Sequence, residues 1–126
     1  MFNGFFDNTV YIRVYKNRFH IRHIESKNET IALPDKPFTT ERLIIGQFKN
    51  AEIALREGFK ELYIKKWVTP SPKVLIQQME MNEGGLSDVE DRILKEVSMV
   101  VGARAVFVWA GKELTDAEVL DKIKNV

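Results

Sequence analysis

Residues 72–109 read PKVLIQQMEMNEGGLSDVEDRILKEVSMVVGARAVFVW. Lys73-Val74-Leu75-Ile76 is an apolar run of strand length, and Asn82-Glu83-Gly84-Gly85 is a loop. Ser87 followed three residues later by Glu90 is a capping box. Val89, Ile93, Leu94, Val97 and Val101 then recur at the spacing of one helix face. Gly102 closes that helix, and Ala105-Val106-Phe107-Val108-Trp109 is a further buried strand. Apolar strands alternating with an amphipathic helix favour parallel pairing under helical cover.

Upstream the period changes. Val10, Ile12 and Val14 alternate with Tyr11, Arg13 and Tyr15, Lys16-Asn17 is a two-residue turn signal, and Phe19, Ile21 and His23 alternate on the return. Residues 8–24 therefore read as a hairpin. A third strand is expected from Thr30 to Leu33, stopped by Pro34-Asp35-Lys36-Pro37. Leu43-Ile44-Ile45 reads as a short strand, and Ala51, Ile53, Ala54 and Phe59 as a helix that Gly58 ends. Val68-Thr69-Pro70-Ser71-Pro72 is an extended connection. Downstream, Thr115 with Glu118 repeats the capping box and opens a last helix with Val119, Leu120 and Ile123 inward. The expected fold is α/β. A mixed sheet with an N-terminal antiparallel hairpin carries strands near 43–45, 73–77 and 105–109, under three helices near 47–57, 87–101 and 115–124. Val89, Ile93 and Val97 are expected to be buried.

The chain of 126 residues fits one domain, and 29% charged with 44% hydrophobic residues argues against disorder. Without cysteine there is no disulfide framework, thiolate metal site or Cys nucleophile. No apolar run is long enough for a membrane span. The start at Met1-Phe2-Asn3-Gly4 lacks the basic and long apolar regions of a secretory signal, so the cytoplasm is the expected compartment. Net charge is +1, but residues 1–79 carry 13 basic and 8 acidic groups against 6 and 10 in residues 80–126. Halves of +5 and −4 could attract a partner or a copy of the chain.

The segment Leu86 to Glu96, continuing to Gly102-Ala103-Arg104-Ala105-Val106-Phe107-Val108, resembles the bacterial actin homologue MreB, the rod shape-determining family. In that family a Pro-Arg-Val-type strand leads through a Ser/Thr-x-Val-Glu-x-Arg helix to a strand preceded by Gly-Ala-Arg/Lys. Pro72-Lys73-Val74-Leu75-Ile76 supplies the first strand here, Asn8-Thr9-Val10-Tyr11-Ile12 is similar to the strand after the family's phosphate loop, and Leu43-Ile44-Ile45-Gly46 to its strand–Gly–helix segment. The resemblance covers roughly residues 3 to 109 and implies an actin-like, ribonuclease H-like ATPase lobe. The departures are as informative. Where the family has Asp-x-Gly-Thr, this chain has Asn3 for Asp and Phe5-Phe6 for Gly-Thr, and phenyl rings deny a phosphate the backbone N–H groups it needs. Ala110-Gly111-Lys112 replaces the family's Glu-Glu-Pro, and the second lobe that walls an actin-type nucleotide site has no counterpart.

The remaining motifs read plainly. Neither Gly-rich phosphate-loop signature occurs, and Gly84-Gly85 is ringed by Glu83, Asp88, Glu90 and Asp91, which makes it a turn before a capped helix. His20 and His23, three apart on a strand, point to opposite faces and cannot chelate a metal together. No His–Ser–Asp set has geometric support from the sequence. Tyr11, Arg13 and Tyr15 share a strand face near Lys16, Arg18, His20 and Arg22, a pattern that could stack bases, although near-neutral charge speaks against a nucleic-acid partner. Phe2, Phe5 and Phe6 either plug the space a nucleotide would fill or pack on a second chain. The expected function is non-enzymatic: an actin-like domain with no cofactor, metal or catalytic residue, acting through a protein partner or homodimer. Its candidate interface residues are Phe2, Phe5, Phe6, Tyr11, Arg13 and Tyr15. Two alternatives stand beside it: a residual ATP site completed by oligomerising, and a nucleic-acid module using the 8–24 hairpin.

Overall fold

The computed structural model describes residues 8–66 and 70–126. Phe2, Phe5, Phe6, Trp67, Val68 and Thr69 lie outside the described residues. Strands β1 (Thr9–Tyr15), β2 (Arg18–His23) and β3 (Asn28–Ala32) precede helix α1 (Phe48–Ile64). Strand β4 (Lys73–Gln78), helix α2 (Asp88–Val100), strand β5 (Ala105–Trp109) and helix α3 (Asp116–Ile123) follow. The five strands form one mixed sheet in the order β3-β2-β1-β4-β5. β1 pairs antiparallel with β2 from Tyr15↔Arg18 to Val10↔His23, and parallel with β4 from Thr9↔Lys73 to Val14↔Gln78. β5 continues the parallel side and β3 the antiparallel side.

The hairpin turn is as expected, with Asn17 in the left-handed region at φ 53°, which its short polar side chain tolerates. That side chain also accepts the N–H groups of Phe38 and Thr39 at 2.8 and 2.9 Å, drawing the following loop onto the hairpin tip.

Two expectations fail for the same reason, that partners distant in sequence decide. Leu43-Ile44-Ile45 is a turn and not a strand. Both edges of β1 are already occupied, and the run meets its hydrogen bonds locally: Thr40 N–H donates to Leu43 O at 3.0 Å and the Thr39 hydroxyl to Ile44 O at 2.7 Å. Ile44 and Ile45 are nonetheless buried. Gly58 does not end α1, which runs on to Ile64. A Cβ there would lie 2.5 Å from Ile21 Cδ1 and 3.0 Å from Ala32 Cβ, so the glycine lets the helix approach β2 and β3 closely.

Strand alternation divides the apolar residues between two cores. Val10, Ile12, Val14, Val74 and Ile76 meet α1 (Ala51, Leu55, Phe59, Leu62) and α2 (Leu94, Val97). On the other face, Tyr11 and Leu75 meet Val119 and Ile123 of α3, with Ile24 and Leu114. Both expected capping boxes form, Ser87 with Glu90 and Thr115 with Glu118. The inward faces are narrower than their spacing suggested. Val89 is 59% and Leu120 40% exposed, and Ile93 is half-buried, while Leu94, Val97 and Ser98 are buried. At roughly 100° per residue Val89 stands about 140° round the helix from Leu94, outside the arc that meets the sheet. β5 is half-buried throughout, as an edge strand. Among the described residues no helix is long and apolar enough to cross a membrane.

Leu94→Ala is expected to cost on the order of 2–5 kcal/mol. Val89→Ala should stay within about 0.5 kcal/mol. Urea unfolding of both variants checks the placement, and comparable losses would contradict it.

Candidate functional site

The sheet register lays out the α3 side as cross-strand rows. One row runs Phe107, Leu75, Tyr11, Arg22 and Glu29; the next runs Trp109, Gln77, Arg13, His20 and Ile31. Beyond them Tyr15 pairs with Arg18 at the hairpin tip. α3 has only eight residues and packs on Tyr11, Leu75, Phe107 and Trp109. The cover stops there.

Tyr11 thus differs from its two neighbours on the strand. It is 2% exposed beneath α3, so it lies within the molecule and not on a free face. Its hydroxyl donates to Gln77 Oε1 and accepts the Leu114 N–H at 3.1 Å, and burial raises the phenol above its ordinary pKa. Gln77 Nε2 donates to the carbonyls of Gly111 and Lys112 at 2.8 and 3.2 Å, tying the loop before α3 to the sheet. Arg22 clamps the start of α3 through two contacts of 2.8 Å to the Asp116 carboxylate. Hydrogen bonding to Arg22 holds the Asp116 carboxyl below the usual range.

Arg13 and Tyr15 remain half-buried beyond that cover. Arg13 reaches Glu113 at 3.1 Å and Glu29 at 3.7 Å, and its guanidinium lies 5.6 Å from the centre of the Tyr11 ring. Arg18 stacks on Tyr15 at 4.3 Å and donates from Nε to His20 Nε2 at 3.1 Å, while the Tyr15 and His20 rings are 4.5 Å apart. No carboxylate among the described residues is ion-paired with Arg18. Burial, then Arg13 and Arg18, lowers the pKa of His20. The uncovered part of the face is therefore an aromatic–cationic stack, bordered by Ile31 at 55% and Leu33 at 69% exposure.

His23 points to the other face, as the spacing requires, and carries an arrangement the sequence reading did not foresee. Its Nδ1 is 2.7 Å from Ser26 Oγ, and its Nε2 is 3.1 Å from Asn8 Oδ1 and 3.4 Å from Glu25 Oε1. The signal was the adjacent His23-Ile24-Glu25-Ser26. Nδ1 also accepts the Ser26 N–H at 3.3 Å, the Ser26 hydroxyl lies 3.4 Å from the Asn28 N–H, and Glu25 accepts the Thr9 N–H at 2.8 Å. These bonds fasten the β2–β3 turn to the start of β1, with Nδ1 facing Ser26 and Nε2 facing Asn8 and Glu25. The arrangement is a turn clamp.

No protein-family model and no solved structure matches the chain. Over 99 residues it is 38% identical to the uncharacterized protein YjaA of Escherichia coli strain K12, a match covering 75% of this chain and 75% of that protein. The chain belongs to the YjaA family. The relative's name assigns no chemistry, so the site of this YjaA-family chain rests on its own geometry. Gly84 and Gly85, at φ 80° and 89°, form the turn before α2, and Glu90 is used in the cap. Among the described residues of this YjaA-family chain, no three His, Asp or Glu side chains cluster as metal ligands.

Burial lowers His23, and His20 is lowered as well, both from 6.5. The folded state then binds fewer protons than the unfolded chain, so stability is full above that ordinary value and falls as pH drops through it toward the folded values. NMR titration should place both rings below 6.5. Unfolding midpoints should fall between about pH 8 and about pH 5, less so in His23→Asn. A ring titrating above the ordinary value would contradict the assignment.

Proposed function

We propose that this chain is a non-enzymatic domain that acts through protein–protein contact, with an actin-like lobe architecture and a place in the cell-shape or cytoskeletal system. The observation that carries the contact reading is the part of the sheet face that α3 leaves open. There Tyr15, Arg18 and His20 stack, Arg18 has no ion pair among the described residues, and Arg13 stands beside His20 in the same row. Tyrosine and arginine are the residue types that anchor protein interfaces, because each buries a rigid flat surface and retains a polar edge.

The architectural reading draws on the segment that carries the family resemblance. Its two ends lie side by side, with the Arg104 N–H donating to Pro72 O at 3.0 Å where β4 and β5 begin. The mixed sheet, antiparallel from β3 to β1 and parallel from β1 to β5 with helices packed on it, supports that reading without singling it out. Asn3, Phe5 and Phe6 in place of Asp, Gly and Thr argue for a lobe without nucleotide chemistry. A base-stacking role is disfavoured, since Tyr11 and Arg22 are committed to holding α3.

Calorimetry with magnesium and ATP is expected to show no binding in the micromolar range; tight one-to-one binding would overturn the reading. Sedimentation of the full chain and of a chain lacking residues 1–6 tests Phe2, Phe5 and Phe6. Association lost on deletion assigns those residues to the contact.

A further inference from the structure

β3 is an outer strand of the sheet, and its free side can be worked out from the ladder. The Ile24 N–H donates to Thr9 O at 2.9 Å, so the even-numbered residues of β2 bond to β1 and the odd-numbered ones to β3. The register Phe19↔Ala32, Ile21↔Thr30 and His23↔Asn28 then turns the backbone groups of Asn28, Thr30 and Ala32 inward. Those of Glu29 and Ile31 point away from the sheet, and Leu33 directly follows the strand. Ile31 and Leu33 also have side chains 55% and 69% exposed. Among the described residues this edge has unpaired N–H and C=O groups and bare aliphatic side chains at Ile31 and Leu33. Its one charge, Glu29, is held by Arg22 at 3.3 Å and Arg13 at 3.7 Å, and Pro34 blocks strand addition only at its end.

We propose that β3 pairs antiparallel with β3 of a second copy of this chain, making one continuous sheet across a two-fold axis. The proposal rests on the contact reading above and names its surface. Placing the axis between the two Ile31 residues sets Ile31 against Ile31 and Glu29 against Leu33, uses every outward backbone group from 29 to 33, and keeps the two Glu29 carboxylates from facing each other.

The helix layer fits the same axis. Gly58 of α1 lies against both Ile21 of β2 and Ala32 of β3, and the Thr30 hydroxyl donates to Glu61 at 2.8 Å, so α1 runs over the β2–β3 boundary. With strands about 4.8 Å apart, two such helices across the axis stand roughly 10 Å apart, the distance at which helices pack. The contact then includes helix surface, which five paired residues alone would not provide, and Ile64, 70% exposed on α1, lies on the helix that gains a neighbour. The same pairing joins the two open faces, since the row Arg13, His20, Ile31 continues into its mate.

Sedimentation of the full chain from micromolar to submillimolar concentration is expected to show a monomer–dimer equilibrium that Ile31→Lys shifts to monomer. Amide hydrogen exchange on the unaltered chain needs no variant to fold. The Ile31 and Leu33 amides should gain about tenfold or more protection at the higher concentration, while Thr30 is protected at both. A chain monomeric at every concentration overturns the proposal. So does a dimer in which the Ile31 and Leu33 amides exchange freely, an outcome that leaves the contact reading standing, whereas tight ATP binding would overturn that reading and not the edge pairing.

Discussion

The structure depends on β1, a strand paired on both edges and, from Val10 to Ile12, buried on both faces. Its antiparallel edge is set by a two-residue turn, and its parallel edge can be filled only by a strand arriving from a distant part of the chain. Once β4 takes that place, alternation along β1 decides which layer each residue serves: Val10, Ile12 and Val14 serve α1 and α2, and Tyr11 serves α3. Arg13 and Tyr15 continue the Tyr11 face past the end of the cover. The open face is thus a consequence of a short α3 laid over a longer strand.

Polar contacts locate α3. The Tyr11 hydroxyl, the Gln77 side chain and the Arg22–Asp116 pair join its N-terminal end and preceding loop to three strands. A buried phenol and a buried amide left unpaired would each cost about 1–3 kcal/mol, so the network confines the loop to one arrangement. Residues that the sequence pattern marks as outward are in this way drawn into the molecule, and a face that looked continuous is divided into a covered and an open part.

The hairpin, both capping boxes and the β4–α2–β5 order were legible because each depends on neighbours within a few residues. Ser87 and Thr115 meet a backbone N–H three residues away wherever the helix lies. Leu43-Ile44-Ile45 has the composition of a strand but meets its hydrogen bonds with Thr39 and Thr40 in a turn and joins neither edge of the sheet. Gly58 has the look of a helix end but faces Ile21 and Ala32. The Ser26, His23 and Glu25 grouping was adjacent in sequence, yet only the turn geometry brings the ring nitrogens to the hydroxyl and the carboxylate. Of the candidate interface residues, Arg13 and Tyr15 stand on the open face, Tyr11 is beneath α3, and Phe2, Phe5 and Phe6 lie outside the described residues.

By itself, then, the sequence determined the hairpin, the two capped helices, the β4–α2–β5 order and the mixed class of the sheet, since period two, period 3.6 and the cap at i, i+3 are properties of a local chain. Tertiary structure decided which apolar residues are covered, where α3 stops and which edge stays open. Those outcomes depend on the finite lengths of elements that meet only after folding: eight residues of α3 cannot cover the whole of a five-stranded face, and among the described residues β3 is paired on one side alone.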